Sequence, residues 1–247
     1  MECYKGFAAV YDTFMVRDIP YDAWADYICE IINNLDKCEI ILDLACGTGN
    51  MTLRLAERGY DMIGTDASED MLALAQDKAF EADRRVLWLA QDMRALDLYG
   101  TVDAVTCVCD GMNYILESDE LKEVFKRVRL FLNPGGVFIF DMNTEYKFKE
   151  VLAEGTFGDS FEGAEYQWDN VYDAKTMINE YRLSFSSLRR DPGLRSFENE
   201  IHRQRAYDIG EISNWLMDAG FSSIRLRDGY THEPPKADTA RVVFICR

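Results

Sequence analysis

The residues with the clearest chemical potential lie in one loop, Asp43-Leu44-Ala45-Cys46-Gly47-Thr48-Gly49-Asn50. An apolar run with strand character, Ile40–Leu44, leads into it, and helical spacing follows it. A strand–loop–helix of this kind aims backbone N–H groups at a ligand, and glycine allows the ligand close to the chain. Two phosphate chemistries are excluded. A dinucleotide fingerprint needs G-x-G-x-x-G, yet counting from Gly47 the third glycine position is Thr52, and no Walker lysine follows. Asp66 lies 17 residues past Gly49 at the end of a second apolar run, where a carboxylate can accept both hydroxyls of a ribose. Gln91-Asp92-Met93 and Cys109-Asp110-Gly111 close two further runs.

These segments need a scaffold. Strands are predicted at Ile40–Leu44, 60–65, 86–89, 102–109 and 137–140. Helices are predicted over 51–58, over 69–79 with Ser68 as N-cap, and after Ser118, where Leu121, Val124, Phe125 and Val128 form one apolar stripe; Asn133-Pro134-Gly135-Gly136 stops it. The alternation predicts an α/β protein with a doubly wound, mostly parallel sheet. Past Asp141 the period changes to two, so residues 145–207 read as an antiparallel insertion of about three strands. Asp208-x-x-Glu211 then starts a helix, and strands at 223–226 and Arg241–Cys246 end the chain. The stretch 4–35 is helical and rich in aromatics. The organisation is thus a core (1–144 and 208–247) with an N-terminal cap (1–35), and an inserted lid (145–207).

The loop resembles motif I of the class I S-adenosylmethionine (SAM) methyltransferases, with Asp43-x-Ala45-x-Gly47-x-Gly49 standing for D/E-x-G-x-G-x-G and alanine replacing the first glycine. The resemblance implies a seven-stranded sheet and a cofactor site of Asp43, Ala45, Cys46, Gly47 and Gly49. It also implies Asp66 on the ribose, with Ala67 and Met71 at the start of the next helix. Asp92 and the Met93 amide would hold adenine, and Cys109-Asp110-Gly111 would line the transfer site. The opening Phe7-Ala8-x-x-Tyr11-Asp12, with Asp18-x-x-Tyr21-x-x-Trp24, is similar to the cap of small-molecule methyltransferases, placing Tyr11 and Trp24 over the cofactor. The branch resembled is that of the sugar N,N-dimethyltransferases, with glycine N-methyltransferases more distant, and a group of uncharacterised bacterial methyltransferases. In that branch the last lid strand carries a histidine, here His202.

Methyl transfer from a sulfonium needs alignment and a neutral lone pair on the acceptor, so an amine must lose a proton. Candidates to handle it are Asp110, Tyr114, His202 and Tyr11. In strand alternation His202 shares a face with Glu198, Glu200 and Gln204, opposite Phe197, Ile201 and Tyr207. That polar face reads either as a cleft wall or as a solvated surface.

Composition bounds the rest. Lys+Arg total 27 against 44 Asp+Glu, a net charge of −17 over 247 residues, which disfavours nucleic acid and anionic membranes. Residues 181–247 alone carry a slight basic excess, and Arg182, Arg189, Arg190, Arg195, Arg203 and Arg205 leave an RNA acceptor as the alternative; a SAM-binding protein without turnover is another. Seven scattered cysteines without a CxxC pair, and two histidines, predict a reduced cytoplasmic chain with no metal. The partner expected is a small-molecule acceptor, with the chain a monomer or homodimer.

Overall fold

The computed structural model describes residues 8–161, 164–186 and 198–247. A seven-stranded sheet has strand order β10-β11-β5-β4-β1-β2-β3. It comprises β1 (Ile40–Leu44), β2 (Asp61–Asp66), β3 (Val86–Ala90), β4 (Val102–Cys107), β5 (Leu132–Asn143), β10 (Ile224–Asp228) and β11 (Arg241–Cys246). Strands β1 to β5 pair in parallel, and β11 runs antiparallel to both its neighbours. Side-chain alternation supplies two cores, as a sheet covered on both faces requires. Leu42, Val105, Phe138 and Phe140 pack with α5 (Ser118–Phe131) and α6 (Ile209–Asp218). Ile41, Ala104, Val137 and Ile139 pack with α2 (Tyr21–Ile32) and α3 (Asn50–Glu57). Ser68 caps α4 (Glu69–Glu81) by accepting from the Met71 N–H at 3.3 Å, and Asp208 caps α6 through Glu211 N–H at 2.9 Å.

A separate antiparallel sheet is ordered β6-β7-β8-β9, from β6 (Thr156–Phe161), β7 (Ala164–Asp173), β8 (Ile178–Ser186) and β9 (Glu198–Arg205). It has four strands rather than three. β6 is mostly exposed and contains Gly158, so it lacks the alternation that marks the others. Met177 belongs to the preceding turn at φ +60°, not to β8. The cap is two helices, α1 (Ala8–Asp18) and α2, broken at Ile19-Pro20. β4 ends at Cys107 instead of Cys109, because Cys109 and Asp110 both adopt left-handed conformations, φ +59° and +55°. Phe7, the turn at 190–193, Phe197, Arg189, Arg190 and Arg195 lie outside the described residues.

On β9 the polar face points inward. His202 and Gln204 are buried whereas Ile201 is half exposed, the reverse of a solvated strand face.

Candidate active site

The C-terminal ends of β1 to β4 converge under α1 on a cavity of about 360 Å³, within the roughly 300–1,000 Å³ of ligand clefts. The β1–α3 loop contributes Ala45, Cys46 and Gly47 to its lining. The end of β2 contributes Asp66 and Ala67, with Met71 from α4; the end of β3 adds Asp92 and Met93. Cys109, Gly111 and Tyr114 close the far end, and Tyr11 covers it from α1.

The two loop glycines do different work. A Cβ on Gly47 would meet nothing within 4 Å, so this backbone faces open cavity. A Cβ on Gly49 would stand 2.7 Å from the Trp88 ring and 3.0 Å from Ala75, so Gly49 is needed for packing rather than ligand approach. Trp88 also lies against Gly64, supporting the loop from β3. Ala45 sits at φ +54° where the family motif has glycine. Asp66 accepts from Gly47 N–H and Ser68 N–H, each at 2.8 Å, which orients its carboxylate at the cavity wall. Burial pushes its pKa up, against the pull of those N–H groups.

Asp43 does not line the cavity. It is buried behind the loop, accepting from Thr52 Oγ1 at 2.5 Å and Thr106 Oγ1 at 2.9 Å. Burial raises its pKa to about 6, despite the hydroxyl donors. Its position stitches β1, α3 and β4 together. Trp24 likewise lies away from the cavity, stacked on Tyr230 at 4.0 Å between ring centroids. Asp92 lines the wall, but Arg94 grips both its oxygens and holds its pKa low.

α1 is fastened over the loop by a latch that sequence reasoning missed. Asp12 accepts from Thr48 Oγ1 at 2.6 Å, Asn50 Nδ2 at 2.8 Å and Lys78 Nζ at 2.6 Å. Burial lowers the Lys78 pKa, opposed by Asp12.

At the far end, Asp110 does not line the cavity either. Arg241 donates to its Oδ1 at 2.6 Å and Gln204 to its Oδ2 at 2.5 Å. Burial opposes its ionisation, yet Arg241 and Lys147 hold its pKa below the usual carboxylate range. A carboxylate whose pKa is held low and whose two oxygens are engaged is a weak proton acceptor. Asp141 completes the cluster. It accepts from the backbone N–H groups of Cys109 (3.0 Å) and Asp110 (2.7 Å), from Tyr230 Oη (2.5 Å), and from Arg241. That network explains why two non-glycine residues in succession tolerate positive φ. The only sequence hint of it was an acid at the end of the fifth strand and an arginine opening the last.

His202 does not reach the cavity itself; Tyr114 does, with its Oη 3.3 Å from His202 Nδ1.

Residues 41–136 match a family model described as a methyltransferase domain. A protein of Geobacillus sp. (strain WCH70) named as a methyltransferase is 33% identical over 99% of both chains. The chain belongs to the methyltransferases. The crystal structure of a SAM-dependent methyltransferase from Clostridium acetobutylicum superposes on this enzyme with TM-score 0.87 and 33% identity, over 99% of this chain and 98% of that one. Shorter matches include a dTDP-3-amino-3,4,6-trideoxy-alpha-D-glucopyranose N,N-dimethyltransferase of Streptomyces venezuelae, 29% identical over 60% of each chain. A glycine/sarcosine N-methyltransferase of Halorhodospira halochloris is 31% identical over 57% of this chain and 53% of that one. Both branches suggested by the cap and loop are therefore among the relatives. Among the described residues no helix is long and apolar enough to cross a membrane, and no group of three or more His, Cys, Asp or Glu is placed to hold a metal.

Proposed function

We propose that this methyltransferase acts on a nitrogen or oxygen of a small polar acceptor seated between the cavity and the inner face of the four-stranded sheet. The observation that carries this is the Tyr114–His202 contact, which joins the transfer end of the cavity to a strand the core does not need. SAM, when bound, supplies an electrophilic methyl group on a sulfonium. Gly47, with open space above its backbone, and Asp66, with an oriented carboxylate, fit the ribose side of that ligand. The wall of Met71, Asp92 and Met93 fits its adenine, and Tyr11 shields it from water. Tyr114 and His202 orient the acceptor and handle its proton; Asp110 ties the turn beneath them to β11 and β9 through Arg241 and Gln204. The amino-sugar and glycine relatives support an amine acceptor.

The RNA alternative loses support from the described arginines of the insertion. Arg182 and Arg203 are both paired with Glu180 at 2.9 Å, and Arg205 donates to the Leu116 carbonyl at 2.8 Å. Phosphate binding gains most from cations that share no carboxylate partner.

The test is mass spectrometry of a metabolite extract incubated with the enzyme and methyl-labelled SAM, beside parallel incubations with a dTDP-amino sugar, glycine and total RNA. Label in a small molecule supports the reading. Label in RNA alone, abolished by moderate salt, overturns it.

A further inference from the structure

Glu200 and His202 are two residues apart on β9 and therefore share its inner face, with side chains only 10% and 5% exposed. His202 Nε2 lies 3.0 Å from Glu200 Oε2, and its other nitrogen, Nδ1, lies 3.3 Å from Tyr114 Oη. A carboxylate at one nitrogen fixes the proton there, so the imidazole carries Nε2–H and Nδ1 is an acceptor. Tyr114 Oη then donates to Nδ1, which turns the phenol oxygen's lone pairs toward the cavity that Tyr114 lines. Acid, imidazole and hydroxyl stand in line from β9 to the transfer site.

We propose that Tyr114, His202 and Glu200 form a proton relay for the acceptor, with Glu200 as the residue that positions the imidazole. The inference rests on the acceptor placement proposed above. As the acceptor's lone pair takes the methyl group, its N–H or O–H proton passes to Tyr114 Oη while the Tyr114 proton passes to His202 Nδ1. Tyr114 is a phenol before and after. The positive charge lost from sulfur ends on an imidazolium beside the Glu200 carboxylate, so charge and protons balance without any added reactant. Asp110, ionised and gripped by Arg241 and Gln204, stays outside the relay.

The chain has two histidines, and the other, His232, has a side chain 69% exposed, so imidazole NMR signals separate readily. Nitrogen-15 spectra of the wild type, with S-adenosylhomocysteine as the only ligand, should show the neutral His202 ring protonated on Nε2 and unprotonated on Nδ1. Glu200→Gln should dissolve that fixed tautomer, whereas Tyr114→Phe should keep it. Both variants should slow label transfer from methyl-labelled SAM into a metabolite extract roughly 10- to 100-fold. Their affinity for S-adenosylhomocysteine by calorimetry should stay within about twofold of wild type. A wild-type His202 carrying its proton on Nδ1 overturns the relay, as does a Glu200→Gln variant with unchanged tautomer and rate. A wild type that labels no small molecule overturns the proposed function instead; the NMR measurement needs no acceptor and decides the relay separately.

Discussion

The two ends of the site are built on different principles. At the cofactor end, residues close in sequence converge because parallel strands stop at one edge, and the contacts run through backbone: Gly47 faces open cavity, and Asp66 is aimed by two N–H groups. At the end proposed for the acceptor, side chains from the turn after β4 and from β5, β9 and β11 meet in buried polar networks centred on Asp110, Asp141 and His202. The first kind of site depends on local conformation, the second on long-range docking of a sheet. Substitutions at the two ends should therefore fail in different ways.

Gly49→Val should show the largest effect. Its branched side chain meets Trp88 and Ala75 from a left-handed position, so loss of folding or of all SAM binding is expected. Gly47→Ala has free space in the fold, so its stability bears only the strain of positive φ, about 1 kcal/mol, and its cost falls on the space proposed for SAM. Circular dichroism and calorimetry on the pair test the distinction; equal damage from both would erase it. Next, His202→Ala should reduce methyl transfer roughly 100-fold while leaving SAM affinity unchanged, because the histidine lies outside the cofactor cavity. A parallel loss of SAM affinity would show that the two ends are not separable. Asp66→Ala should do the converse, weakening SAM binding by about 1.5–3 kcal/mol, the range of charge-assisted hydrogen bonds, with a smaller loss for Asp66→Asn.

The smallest effect concerns Asp43, whose acid stands behind the loop. Its pKa is raised from 3.8 to about 6 in the folded protein, so the stabilisation it gives is complete below pH 3.8 and is lost as pH rises through 6. Asp43→Asn should therefore gain on the wild type between pH 5 and pH 8, by on the order of 1 kcal/mol or a few degrees in Tm. Thermal melts giving a constant difference across that range would place the carboxylate in solvent, or on a ligand, instead.

The legibility of each residue followed from the same contrast. β1, α4 and β11 stand where periodicity and capping residues put them, and Tyr11, Ala45, Gly47, Asp66, Met71 and Tyr114 do line the cavity. Asp43 and Gly49 lie in the right loop, but whether each faces the ligand or the core depends on Thr52, Thr106 and Trp88, which the motif does not encode. Gly158 interrupted the pattern of β6, and Cys109 read as strand because nothing local shows a left-handed turn held by Asp141.

Sequence alone determined the sheet order's raw material, the family and the cofactor loop, since these rest on hydrophobic period, caps and small residues within a few positions of one another. Tertiary structure decided which acids were free to act. Asp110 is held by Arg241, 131 residues away, and His202 is held between Tyr114 and Glu200, its Tyr114 contact spanning 88 residues. A carboxylate or imidazole takes its charge and direction from what is packed against it in a dry interior, and those neighbours are brought together only by the fold.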